Sequence, residues 1–358
     1  MYSLESIGFT LDRKQEVENY PVYLFIARVS IQHKGLYKVM TQKGEFTAEI
    51  SGKLLYDNVS QNNLPVVGDW VLVNKENSEK GNIIIHHILH RKSCLERKEA
   101  GKRSRSQVIA ANVDTVFICM SMNNDFNLRR LERYITIVWD GGAVPVVVLT
   151  KVDLCHDRER LFHEVRQVAC GVDIITTSTL DEEGYTDVYP YIHQGKTVAF
   201  IGSSGVGKST LINALLHMKV LETKEVRNDD KGRHTTTHRQ LFILPQGGIV
   251  IDTPGMRELQ LSGGDIEHTF SDIEELSKEC KFTDCRHEKE PGCKVKEAIE
   301  KGIINENRLN SYKKLLREIQ YQNLKSQDRE KEKINQMFGS KKAMKQARDF
   351  VKNKNKVK

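Results

Sequence analysis

Gly202, Gly207, Lys208 and Ser209 stand in the order G-x-x-x-x-G-K-S within "FIGSSGVGKSTLINALL", residues 200–216. An apolar strand before such a loop and a helix after it form the setting in which it wraps phosphate. Glycines let backbone N–H groups curl around phosphate oxygens, and the helix N-terminus adds partial positive charge. Lys208 is suited to bridging β- and γ-phosphates, and the Ser209 hydroxyl to ligating Mg²⁺. Ser203, Ser204, Gly205 and Val206 fill the loop and Thr210 follows on the helix, so all join the expected nucleotide-binding set.

Three other stretches supply matching chemistry. "GGIVIDTPGMREL" is an apolar strand ending at Asp252, placed to hold Mg²⁺ through a water. Gly255 then follows, with an N–H that can approach a γ-phosphate. Between the two motifs lies "GRHTTTH", where the Thr236 hydroxyl is the candidate to complete the Mg²⁺ shell; the same letters also fit a Ser/Thr-rich turn. Upstream, "VVLTKVDL" places Asp153 where a carboxylate can accept from the two N–H groups of guanine's N1–N2 edge. Adenine lacks those donors, so GTP is expected over ATP. Lys151 can lay its stem along the base, and the loop around Ser178 can offer a backbone N–H to O6. T-K-V-D alone also fits a plain turn at a strand end; its weight comes from three motifs, each behind an apolar strand.

These loops need a scaffold. A chain of 358 residues with 39% hydrophobic content implies two or three domains. From Tyr20 to about Leu95, five period-two runs ("VYLFIARVSI", "GLYKVM", "GEFTAEIS", "GDWVLVN", "GNIIIHHIL") predict a small antiparallel OB-type barrel. Tyr23, Phe25, Tyr37, Phe46 and Trp70 could stack on bases there, but at least half should fill so small a core. "RKEAGKRSRSQ" reads as a charged linker. Apolar strands then alternate with helical patterns, which predicts βαβ units and a mostly parallel sheet with helices on both faces. Beyond Gly263 strands stop, and Leu309, Tyr312, Leu316 and Ile319 mark an amphipathic helix. The expected division is a barrel over 1–100, a nucleotide domain over 101–270 and a helical, metal-binding domain over 271–358.

Cys280, Cys285, His287 and Cys293 crowd into "CKFTDCRHEKEPGC", a Cys₃His set suited to tetrahedral Zn²⁺ in a closed, structural site, one per chain. The other four of the seven cysteines suit reduced thiols, and no leader or run of about eighteen apolar residues is seen. A cytosolic location, no membrane contact and a monomer are expected. The formal charge is +7, and the stretch from Lys341 to Lys358, with seven Lys and one Arg against one Asp, matches the whole excess. Such a run is either a solvated end or a polyanion-binding arm.

The order guanine reader, phosphate loop, Thr loop, D-T-P-G resembles the circularly permuted GTPases. With a barrel before it and a Cys/His cluster after it, the chain is similar to the ribosome small-subunit-dependent GTPases, the RsgA or YjeQ family. "QVIAANVDTVFI" and "GRHTTTHRQL" carry the resemblance further. It implies a GTPase that converts GTP to GDP and phosphate, is stimulated by the small ribosomal subunit and its rRNA, and acts late in subunit assembly. Thr150 stands where the general GTPase pattern has Asn, which removes an amide contact to the base. Met256 follows Gly255 and no Gln comes before Gln260, so hydrolysis should be slow alone; His234 is the candidate to position water once a partner orders its loop. Other readings are a GTP-switched RNA-binding module with little turnover, or a GTPase serving another RNA.

Overall fold

The computed structural model describes residues 2–33, 35–59, 63–78, 81–98, 106–123, 125–155, 157–178, 184–221, 239–253 and 265–323. The chain divides into two compact units, Met1–Lys278 and Glu279–Lys358.

In the first unit, α1 (Leu11–Val17) precedes β1 (Phe25–Gln32), β2 (Tyr37–Thr41), β3 (Gly44–Ile50), α2 (Gly52–Val59), β4 (Trp70–Val73) and β5 (Ile83–Ile88). Each strand pairs with two others in the cyclic order β1-β2-β3-β5-β4, and β4 closes back on β1 through Phe25↔Val73 and Arg28↔Trp70. Only β3 and β5 run parallel, because α2 carries the chain across between them. The alternation seen in sequence is the barrel's inside and outside: Ala27, Val29, Val39, Ala48, Val71, Val73, Ile83 and Ile85 meet in one core. Tyr37 and Trp70 are buried and Phe46 packs against the core, whereas Tyr23 and Phe25 are exposed.

Both ends of the stretch read as a linker lie in strands instead, Arg97 opposite Gln107 and Lys98 opposite Ser106. β6 (Cys94–Lys98) and β7 (Ser106–Ala111) form an antiparallel ribbon with Leu95 opposite Ala110. There follow β8 (Thr115–Ser121), α3 (Leu128–Asp140), β9 (Val144–Thr150), α4 (Arg158–Val168), β10 (Asp173–Thr177), β11 (Thr197–Ile201), α5 (Lys208–Leu216), β12 (Gln240–Ile243), β13 (Ile249–Asp252), α6 (Ile266–Thr269) and α7 (Ser271–Lys278). The strands order as β10-β9-β8-β11-β13-β12, all parallel except β12. These strands read as unbroken apolar runs because helices cover the sheet; Val146 to Leu149 and Val198 to Phe200 are wholly buried. Sequence reasoning did not find β12, although "LFILPQGGIVI" has the two apolar runs and Gly turn of a hairpin. β12 also pairs with β1, Ile31 opposite Gln240, so barrel and parallel strands share one eleven-stranded sheet.

Arg28 ties this junction. Its side chain is 1% exposed and stacks over Trp70 at 5.2 Å. It donates to Ile7 O (2.6 Å), Gly68 O (3.3 Å), Asn112 O (3.3 Å) and Thr197 Oγ1 (2.9 Å). Burial pushes its pKa down to about 9, which leaves it charged near neutrality. Gly68 sits here at φ +92°, and a Cβ would stand 2.1 Å from Ala111 O, so a glycine is required where barrel and ribbon touch. The second unit holds α8 (Lys294–Glu300) and α9 (Glu306–Asn323), with Val295, Leu309, Tyr312 and Leu315 buried.

Arg28→Met is expected to destabilise the first unit by about 2–4 kcal/mol, because the buried oxygens of Ile7 and Asn112 lose the Arg28 donor and cannot move to water. Urea unfolding followed by tryptophan fluorescence measures this, and an unchanged midpoint would contradict it.

Candidate nucleotide site and metal centre

β8, β9 and β10 step outward to one side of the sheet, and the chain then returns to lay β11 on the other side of β8. The strand order reverses between β8 and β11, and crevices at such reversals lie beyond the strands' carboxyl ends. The phosphate loop leaves β11 there, the T-K-V-D loop leaves β9 two strands away, and Asp252 ends β13 on the other flank.

The loop's glycines are dictated by geometry. Gly202 has φ +144°, and a Cβ would lie 2.4 Å from Cys119 O on β8; Gly205 and Gly207 also have positive φ. Gly207 caps α5, so the helix N-terminus begins where the loop closes. Lys208 is 7% exposed and folds back, its Nζ donating to Gly202 O (2.9 Å) and Ser203 O (2.7 Å). Burial lowers its pKa, while Cys119, Asp252 and Asp125 oppose that shift. Val206 is buried, Ser204 and Ser209 are half-buried, and Thr210 is exposed on the first turn. Asp252 is 1% exposed at the end of its strand. A carboxylate at the end of β13, a hydroxyl on the first turn of α5 and the lysine before it make a donor set that fits Mg²⁺ carrying nucleotide phosphates.

On the base side, Lys151 adopts a left-handed conformation (φ +57°) that turns the chain from β9 into a short 3₁₀ turn at Val152–Leu154. Asp153 is exposed on that turn and accepts from the Ser178 hydroxyl at 3.1 Å. Ser178's own N–H donates to Gly184 O (2.8 Å). Thr150 is buried, and its hydroxyl donates to Val206 O at 2.6 Å. The threonine in the expected Asn position therefore ties the base-side strand to the phosphate loop. His234, Thr236, Gly255, Met256 and the tail from Lys341 to Lys358 lie outside the described residues. Sequence reasoning passed over Asp125, whose carboxylate meets the Ser203 hydroxyl. Its signal was available: it follows apolar β8 at the carboxyl edge of the sheet.

In the second unit, one ligand atom from each of Cys280, Cys285, His287 and Cys293 lies within 4.8 Å of the others. Cys280 Sγ is 4.0 Å from Cys293 Sγ and 3.8 Å from His287 Nδ1, which is 3.3 Å from Cys293 Sγ. Tetrahedral bonds of ~2.3 Å put thiolates ~3.8 Å apart, so the cluster has the dimensions to hold a metal ion. His287 has φ +55° and Gly292 φ +74°, the turns that bring the four together. Lys313 on α9 donates to His287 O (3.0 Å) and fixes the first turn from outside.

A family model described as RsgA GTPase matches residues 88–262. A second, ABC transporter, matches residues 185–355 and shares with the first the phosphate loop. The relatives decide between them. A protein of Lactiplantibacillus plantarum named small ribosomal subunit biogenesis GTPase RsgA 2 is 51% identical over 324 residues, 90% of this chain and 91% of its own length. This chain belongs to the RsgA GTPase family. A second RsgA relative, from Oceanobacillus iheyensis, is 49% identical over 83% of this chain and 85% of its own. Among solved structures, YjeQ from Thermotoga maritima has a TM-score of 0.61 at 29% identity, covering 83% of this chain and 98% of that one. YloQ, described as a circularly permuted GTPase, has a TM-score of 0.60 at 25% identity, covering 85% and 98%. Like other RsgA proteins this chain is a P-loop GTPase in permuted order, with a closed five-stranded barrel before it and a Cys₃His cluster after it.

Stripping metal from the chain with a chelator is expected to abolish the cooperative fold of the second unit and spare the first. Hydrogen exchange would show protection lost in α8 and α9 and kept in β8, β9 and β11. Equal protection in both after chelation would contradict a structural metal.

Proposed function

We propose that this chain hydrolyses GTP while docked on the small ribosomal subunit, late in that subunit's assembly. The observation that carries this reading is the gathering of phosphate loop, T-K-V-D turn and Asp252 at one reversal of strand order. It is joined by the name of relatives about half identical over most of the chain. Lys208 leaves its carbonyl partners to bridge the β- and γ-phosphates, and the N–H groups of residues 203 to 207 cradle the oxygens between Gly202 and Ser209. Ser209, Thr236 and Asp252 are the residues that would hold Mg²⁺, which would supply neutralisation of the phosphate charge. Asp153 and Lys151 receive the guanine, with Thr150 and Ser178 supporting them. Gly255 is assigned to the γ-phosphate through its N–H, and His234 to positioning the water when the chain is on the subunit.

The chain works as a monomer in the cytosol, off the membrane; no described helix is long and apolar enough to cross one. The metal of the Cys₃His cluster is zinc, one per chain, as its thiolate and imidazole donors favour. The barrel over 1–100, the zinc segment and the basic tail supply the contacts to rRNA.

Adding purified small subunits is expected to raise multiple-turnover phosphate release by about 10²-fold or more. His234→Ala should bind subunits normally and lose most of that gain, and stimulation by an unrelated RNA but not by subunits would point to another target. Asp153→Asn should weaken GTP and strengthen xanthosine triphosphate binding, since an amide offers a donor where guanine also offers donors. A titration that leaves base preference unchanged would remove Asp153 from the reader.

A further inference from the structure

The crevice at the phosphate loop has a second wall with no task in the proposed mechanism. Asn123 accepts from the Ser121 hydroxyl (2.8 Å) and from the Asp125 N–H (3.0 Å), which turns the chain leaving β8 back toward β11. The Asp125 carboxylate thereby receives the Ser203 hydroxyl on Oδ2. The same oxygen stands 2.9 Å from Arg130 Nη2, and Arg130 also donates to the main-chain oxygen of Asp125. Asn127 caps α3 by accepting from the Arg130 N–H at 3.0 Å, so the helix bearing Arg130 starts at a fixed point.

Ser203 is 2% exposed and is the first residue inside the loop. Its carbonyl and that of Gly202 are the two acceptors that hold Lys208. A free serine hydroxyl at this place would turn to nearby backbone groups and compete for the N–H donors that phosphate needs. The carboxylate prevents this by accepting its hydrogen. Asp125 also brings a negative charge to an anion site, and Arg130 compensates it at ion-pair distance. On the loop's other shoulder, the bond from Thr150 to Val206 O does the same holding work.

We propose that Asp125 is a positioning residue for GTP binding, which fixes the Gly202–Ser203 shoulder of the phosphate loop through the Ser203 hydroxyl while Arg130 holds the carboxylate. The inference rests on GTP binding at this loop. It is tested by titrating GTP into the full chain and its Asp125→Ala, Ser203→Ala, Asp125→Asn and double-alanine variants, with thermal melts alongside. Each alanine variant is expected to raise the GTP Kd about tenfold, and the double variant no further, because both break one bond. Asp125→Asn should stay within about threefold of wild type, since its amide oxygen accepts the same hydrogen. A purely architectural role would move the melts and leave the Kd coupling absent. Should Asp125→Ala melt early, Ser203→Ala and Asp125→Asn carry the comparison. Alanine variants within about twofold of wild type, losses that multiply in the double variant, or an Asn variant as weak as Ala would each overturn the proposal. A wild-type chain that binds no GTP would instead overturn the nucleotide reading beneath it.

Discussion

One buried guanidinium sets the frame in which the nucleotide site is held. Arg28 spends its donors on four segments far apart in sequence: the N-terminal stretch at Ile7, the barrel at Gly68, the end of the ribbon at Asn112, and Thr197. Thr197 opens β11, the strand whose other end becomes the phosphate loop. A charge of this kind, desolvated and stacked on Trp70, tolerates few alternative arrangements, because every relaxed geometry leaves some carbonyl without a donor. The barrel, the ribbon and the loop-bearing strand thus meet at one side chain, with the Asn112 amide and the Asp114 carboxylate joining the same segments beside it.

At the other end of β11 the loop is held at several points. Gly202 lies against Cys119 O with no room for a side chain, and Thr150 holds Val206 from the base-side strand two places away. Lys208 is stored on carbonyls of the loop itself, where burial disfavours its charge. Bonds of this kind fix the loop's shape, and a loop so fixed has less ordering cost to meet on binding.

The loop glycines were legible in the sequence because residue type at fixed spacing marks where the backbone needs positive φ. The five barrel strands were legible as short apolar-rich runs between turn residues, although β4 is buried along its whole length. β12 is four residues long and gains its place from partners on both sides, Ile31 and the β13 register, so local pattern carried little of it. The ribbon strand β6 was hidden because Arg97 and Lys98 read as linker charge, while the pairing is set by Leu95 and Ala110. The Asp125–Ser203 bond joins residues 78 apart, a proximity that only the strand order between β8 and β11 creates. Tyr37 and Trp70 went to the core, as the barrel's small size required, and Tyr23 stayed outside.

The pairing of Ile31 with Gln240 has a meaning in time as well as in space. A ribosome making this chain at roughly 5–20 residues per second completes β1 and then needs on the order of 10–40 s to deliver β12. Throughout that interval the Gln240 partner of Ile31 is still unmade, so this pairing couples one of the first strands synthesised to one of the last.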